Sequence, residues 1–170
     1  MTKFHIVLVA PEIPQNTGTI GRLAVSTDAV LHLVEPLGFS LEDKYLKRAG
    51  LDYWQFLDLR RHPDWEDFLS GLEPDARLRF FSTHGEKSYF DERYVPGDYL
   101  VFGRESAGLP QEFYERYRGE LRVIPMPGAH SRSLNLANAV SIVLYEALRQ
   151  SVYAPAGGRE MKTIAAHPQK

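Results

Sequence analysis

The sequence predicts an α/β domain built on a mostly parallel sheet with helices on both faces. Three observations carry this. Short apolar runs alternate along the chain with capped or amphipathic stretches, the pattern of strands joined by crossover helices. At 170 residues the chain has the length of one domain. Its 44% hydrophobic and 25% charged residues are the balance of a packed globular protein.

Residues 3–10 (KFHIVLVA) form a short apolar run, read as a strand buried on both faces. Asn16 is a good N-cap, and TGTIGRLAVSTD after it reads as a helix. Residues 30–34 (VLHLV) are a second strand, closed by Glu35 and Pro36. LEDKYLKRAG reads as a short helix stopping at Gly50, and QFLDL (55–59) as a strand. Pro63 opens a helix whose first turn is acidic, as suits a helix N-terminus. RLRFFS (77–82), DYLVFG (98–103) and LRVIPM (121–126) are further strands, with a helix starting at Pro110 between the last two. The longest helix runs from about Ser133 to Ser151, with Leu136, Val140, Val143, Leu144, Ala147 and Leu148 at helical spacing. Residues 1–153 are thus one domain, and 154–170, polar and rich in Pro and Gly, a flexible tail.

Composition excludes several functions. There is no cysteine, so disulfides, cysteine-ligated metals and thiol catalysis are ruled out, and the absence fits a reducing cytoplasm without establishing it. The six histidines show no metal-binding spacing, so no metal is expected, and His5 and His32 read as structural. No apolar run approaches the ~20 residues of a membrane helix. The first apolar run is broken by Pro, Glu and Pro, which suits a strand and not a signal peptide. The net charge of −2 gives no support to a nucleic-acid partner, but fourteen of the twenty basic residues are Arg, the residue suited to bidentate phosphate contacts and stacking.

In a parallel α/β sheet ligands sit beyond the carboxyl ends of the strands, so the loops there are where chemistry is sought. Three are unusual. In PEIPQNTGTIGR (11–22), N-x-G-x-x-G stands one residue short of a dinucleotide fingerprint, with Glu35 near the place of its acid. The other reading has Asn16 capping a helix while Gly18 and Gly21 permit close packing. Arg22, placed in the first turns of that helix, opposes the macrodipole. It reads as a cation aimed at a phosphate or a reacting hydroxyl, or as a plain surface arginine. In FGRESAGLP (102–110), two glycines bracket Arg-Glu-Ser-Ala, and Glu105 reads as an acid able to accept hydrogen bonds from loop amides or a ligand, or as an exposed acid on a connecting turn. In IPMPGAHSRSLNLANAV (124–140), Ser131, Arg132, Ser133, Asn135 and Asn138 crowd the start of the long helix, which Ser133 is placed to cap. Basic YLKRAGLDYWQF also interleaves aromatics, a mix that suits RNA stacking as well as cores and interfaces.

Together and in this order, PEIPQNTGTIGR, LHLVEPLGF, KRAGLDY, FGRESAGLP and IPMPGAHSRSLNLANAVSIVLYEALRQ resemble the SPOUT superfamily of RNA methyltransferases. Within it they resemble the small YibK-like or TrmL group of tRNA wobble-nucleoside 2′-O-methyltransferases. The resemblance spans residues 4 to about 150. It implies a SPOUT fold with a C-terminal trefoil knot, a cytoplasmic homodimer with the active site at its interface, and S-adenosylmethionine as cofactor, leaving as S-adenosylhomocysteine. The implied reaction is methylation of the ribose 2′-OH at position 34 (C or U type) of tRNA, leucine tRNAs among them. Phe81, Ser82, Gly103, Glu105, Gly108, Ile124, Met126, Ser133 and Leu134 fall at cofactor-pocket positions. Arg22 and Asn135 match catalytic positions, and Arg22 and Arg132 RNA-binding ones. Tyr145 matches a helix tyrosine at the interface or supporting the site. Arg104 departs from the family, standing where relatives often have Pro, and PGAHSRS is one residue longer than the common loop. The competing readings are methylation of another tRNA position or of ribosomal RNA, an NAD-binding oxidoreductase, and a non-catalytic RNA-binding factor.

Overall fold

A computed structural model describes residues 3–41 and 53–151. The elements are β1 (His5–Val9), α1 (Pro14–Thr27), β2 (Val30–Val34), a 3-10 turn (Trp54–Phe56), β3 (Leu59–His62), α2 (Trp65–Ser70), β4 (Leu78–Phe81) and β5 (Lys87–Ser88). After a second 3-10 turn (Tyr89–Asp91) come β6 (Tyr99–Phe102), α3 (Gln111–Arg116), β7 (Leu121–Val123) and α4 (Leu136–Ser151). The strands form one sheet in the order β3-β2-β1-β6-β4-β7-β5, and every pairing of these strands is parallel. The chain winds outward from β1 to β3, then crosses to fill the other side. β1, flanked by β2 and β6, is therefore where the winding reverses.

Alternation along the strands divides the core into two layers. Ile6, Leu8, Leu31, Leu33 and Leu100 face α1 and α4, meeting Ile20, Val140 and Leu144. Val7, Val9, Phe80 and Val101 face α2 and α3, meeting Trp65, Phe68 and Phe113. Helices therefore cover both faces, as the sequence predicts. Each fully buried side chain of this kind contributes about 1.5–3 kcal/mol. α1 offers buried Thr17, Gly18, Gly21 and Ala24, small residues that let it lie close, with Ile20 filling the core between them, and it packs against α4. A Cβ on Gly21 would come within 3.2 Å of the Trp54 ring, so this glycine seats the 3-10 turn rather than the sheet.

Three expectations need correction, and one strand is additional to them. QFLDL is not a strand. Leu57 packs against the core beside α1 while Phe56 stays 70% exposed, and the strand forms from LRRH, whose polar residues suit the sheet edge. α1 begins at Pro14, so Asn16 lies inside it and does not cap it. α4 begins at Leu136, and its cap is Asn135, not Ser133. The Asn135 side-chain oxygen accepts from the N–H groups of Ala137 (2.9 Å) and Asn138 (3.3 Å), while its carbonyl accepts from Ala139 N–H. β5 was unanticipated, being only Lys87 and Ser88. The helix expected for LEDKYLKRAG lies, but for its first residue, outside the described residues, as does the tail.

On the α2 face the histidines form a chain across three strands. His5 Nδ1 lies 2.9 Å from His32 Nε2, His32 Nδ1 lies 3.0 Å from His62 Nε2, and His62 Nδ1 lies 3.3 Å from the Asp67 carboxylate. A carboxylate only accepts, so it assigns the proton of His62 to Nδ1, and the same tautomer follows along the chain.

Candidate active site

The loops after β1, β4, β6 and β7 enclose one cavity of about 650 Å³ at the carboxyl ends of the strands. Phe81 and Ser82 enter it from the end of β4, and Gly103, Glu105 and Gly108 from the loop after β6. Ile124, Met126, Ser133 and Leu134 enter from the loop after β7. All nine residues nominated for a cofactor therefore share one wall, and Arg132 and Asn135 lie on it too.

Glu105 organises this wall. Its carboxylate accepts from the backbone N–H groups of Glu12 (2.8 Å) and Ile13 (3.1 Å) and from the Asn16 amide (3.0 Å). α1 has no side-chain cap of its own and no acid in its first turn. Glu105, from another loop, supplies the acceptor and the negative charge that this N-terminus lacks. The clasp is reciprocal. Glu12 accepts from the Ser106 hydroxyl (2.9 Å) and backbone N–H (3.0 Å). The Ser106 hydroxyl first, then its amide, and to a smaller extent the charge of Arg104 hold the Glu12 carboxyl below its ordinary range. Asn16 then passes the connection on, its side-chain oxygen accepting from the Asn135 amide at 2.9 Å. One hydrogen-bonded chain, Glu105–Asn16–Asn135, thus ties the three unusual loops together. Sequence reasoning gave Asn16 a capping role and missed this bridge. No local signal marked it, because an Asn just before a helical stretch reads as a cap.

The loop after β6 closes on itself. The backbones of Arg104 and Gly108 exchange two 2.9 Å hydrogen bonds, with Gly108 at a φ of 71°. A Cβ on Gly103 would lie 2.0 Å from the Gly108 carbonyl carbon, inside any tolerable contact. Gly103→Ala is therefore expected to cost about 3 kcal/mol of stability and to open this wall. Urea unfolding of the variant checks it, and an unchanged midpoint would show that the loop has another way to close.

His84 and Tyr114 also line the cavity, with no signal in the sequence to mark them. The Tyr114 hydroxyl lies 3.2 Å from Ser82 Oγ, and Ser82 Oγ accepts from His84 N–H at 3.1 Å. Ser82 thereby shapes the turn after β4.

Arg22 lies elsewhere. Because α1 starts at Pro14, Arg22 sits in its third turn, so the argument from the helix dipole does not apply. It is exposed, does not line the cavity, and stacks over the Tyr53 ring at 4.7 Å. Six residues separate it from Asn16, about 9 Å along the helix and some 240° around it. Gly18 and Gly21 lie within the helix, not in a loop before it, and Glu35 pairs with Arg61 at 2.6 Å. The dinucleotide reading therefore lacks its phosphate-holding turn and its free acid. Among the described residues no group of three or more His, Asp or Glu is placed to hold a metal ion, and no helix is long and apolar enough to cross a membrane.

An all-parallel α/β sheet with a ligand-sized cavity at its carboxyl ends, walled by glycine and asparagine loops, is the arrangement of small-molecule-binding α/β proteins. Residues 3–145 match the SpoU rRNA Methylase family, and the chain belongs to it. A tRNA (cytidine(34)-2′-O)-methyltransferase of Acidovorax sp. is 51% identical over 153 residues, covering 88% of this chain and 93% of that protein. One of Burkholderia ambifaria is 50% identical, covering 87% and 96%. A solved structure reported as "Structural insights into the 2-OH methylation of C/U34 on tRNA" superposes with a TM-score of 0.83 at 50% identity, covering 88% of this chain and 96% of that one. The SpoU methyltransferase AviRb from Streptomyces viridochromogenes in complex with AdoMet superposes at 0.77 with 28% identity, over 88% of this chain and 58% of that one.

Proposed function

We propose that this chain transfers a methyl group from S-adenosylmethionine to the ribose 2′-oxygen of the wobble nucleotide, C or U type, in tRNA. Half-identity over nearly the whole chain to proteins named for that reaction supports it, together with one cavity that collects every nominated cofactor residue. The cavity suits the cofactor. It combines apolar surface from Phe81, Phe102, Ile124 and Leu134 with loop backbone drawn close at Gly103 and an unpaired, buried guanidinium nitrogen at Arg104. Bound there, S-adenosylmethionine supplies an already activated methyl group on a sulfonium.

The protein's work is alignment and charge stabilisation. The Glu105–Asn16–Asn135 chain holds the three loops in one geometry, and Arg132, exposed on the wall, takes an RNA phosphate. Arg22 is our candidate for stabilising the developing oxyanion. A guanidinium does not give up its proton in a protein, so its role is electrostatic rather than that of a base. It lies outside the cavity of its own chain, so it acts on a second copy's site. This calls for the homodimer that the resemblance implies, working in the cytoplasm, with exposed Arg22 on α1 and exposed Tyr145 on α4 near the shared face. The threaded C-terminal knot belongs to the same reading.

Labelled S-adenosylmethionine and unmodified bulk tRNA, followed by alkaline hydrolysis, test the proposal. A 2′-O-methyl group blocks cleavage at its own linkage, so label is expected in alkali-resistant dinucleotides whose sequence places it at position 34. Label in single nucleotides means base methylation and ends the proposal. Label only with ribosomal RNA moves it to another substrate. Arg22→Ala is expected to abolish transfer while changing cofactor affinity only a few fold. Transfer at near wild-type rate removes Arg22 from the chemistry.

A further inference from the structure

We infer that Arg104 binds the carboxylate of the cofactor's amino-acid tail. The inference rests on the cofactor reading above and gives the cavity a specific polar end.

Arg104 lines the cavity, and its Nε is buried with no hydrogen-bond partner among the described residues. A buried guanidinium N–H left unpaired costs free energy, so such a group marks a place where an acceptor belongs. The neighbouring acids are engaged elsewhere. Glu105 accepts three hydrogen bonds from the loop after β1, and Glu12 accepts two from Ser106. Arg104 and Arg132 take no part in the ion pairs formed among the described residues. The uncommitted charge on this wall is therefore positive, and it calls for an anion.

Two anions meet such a site, a carboxylate on the small ligand or a phosphate of the polynucleotide. The geometry favours the carboxylate for Arg104. Arg104 is half-buried on the cavity wall, and a phosphodiester flanked by two riboses meets it only if the RNA chain loops into the cavity. A terminal carboxylate needs no such loop and matches the planar donor fork of arginine. Arg132 is exposed and suits the polynucleotide. The Arg104 backbone is already held by its two bonds to Gly108, so binding has only its side chain left to order.

Calorimetric titration without RNA tests this with two probes, S-adenosylmethionine and its decarboxylated form, which differ only in the carboxylate. The wild-type protein is expected to prefer the intact cofactor roughly 10- to 100-fold, the range of a charge-assisted hydrogen bond. Arg104→Gln is expected to bind both probes alike, with affinity for the decarboxylated form within about twofold of wild type, the signature of a pairwise coupling. That unchanged affinity also shows that the variant's pocket is folded. Equal weakening towards both probes overturns the inference, since Arg104 would then only shape the wall. An unchanged preference overturns it as well, and an accompanying rise in KM for tRNA would assign Arg104 to a phosphate. Wild-type binding of both probes with no preference removes this inference alone. Wild-type binding of neither removes the cofactor reading and this inference with it.

Discussion

Glu105→Ala is expected to lower stability by about 3 kcal/mol and to weaken ligand binding in the cavity at the same time. The carboxylate accepts three hydrogen bonds from one segment, and its removal leaves the N–H groups of Glu12 and Ile13 and the Asn16 amide without their acceptor. A buried donor stripped of its partner costs about 1–3 kcal/mol. The Ile13 bond is exposed, so water recovers part of its loss, and the sum falls below three full penalties. The loss of charge at the α1 N-terminus adds a smaller term of about 0.3–1 kcal/mol. Glu105→Gln should recover only part of this. Its amide keeps one oxygen for Ile13 and Asn16 but turns a donor towards Glu12 N–H. Urea unfolding at constant m-value reads the stability, and calorimetry with S-adenosylhomocysteine reads the cavity. A stability loss below about 0.5 kcal/mol for the alanine variant would show that the clasp does not hold the loops.

The second large effect is a loss of stability in mild acid that arises in the histidine chain and not in the carboxylates. Burial pushes His5 down to about 4 and His32 down to about 3, with the nearby Arg60 charge and, for His32, its histidine neighbours adding to the effect. In the unfolded chain these groups titrate near 6.5. Between 6.5 and 4 the unfolded state therefore binds more protons than the folded one, and stability falls as pH falls. The contribution is complete above about pH 6.5 and is lost progressively below it. From pH 7.5 to pH 5 the loss is on the order of 3 kcal/mol for the pair.

The groups around the chain are Lys3 beside β1, Asp58 and Arg60 at β3, Asp67 on α2 and Tyr99 on β6. The depressed carboxyls Glu12 and Glu146 act lower, since their stabilisation starts to fade only as pH drops through the ordinary carboxyl range of 4.5. Unfolding midpoints at pH 7.5, 6.5, 5.5 and 5 separate the two. His32→Gln keeps a donor and an acceptor without titrating, so it should halve the slope above pH 5. An unchanged slope in that variant would place the acid sensitivity elsewhere.

Much of this protein could be read from its residues. β1 and β2 are short apolar runs, α4 carries its apolar face at helical spacing, and both signals are local. Gly103 and Gly108 stand out because a tight loop demands them, and the motifs name the cavity wall residue by residue. What could not be read depends on contacts between distant segments. Asn16 looks like a helix cap in sequence, yet it bridges Glu105, 89 positions away, and Asn135, 119 away. QFLDL looks like a strand, but α1 draws in Leu57 and leaves the sheet edge to polar LRRH. His5, His32 and His62 look like scattered core residues until parallel register lays them side by side. Local chemistry therefore determined which elements form, and the motif resemblance named residues that line the cavity. Only the tertiary structure decided how the loops are fastened to one another, which histidines join in one hydrogen-bonded chain, and that Arg22 stands apart from the cavity its own chain encloses. The reason is that hydrogen-bond partners and burial are set by which segments the sheet order brings together, and no stretch of sequence carries that order by itself.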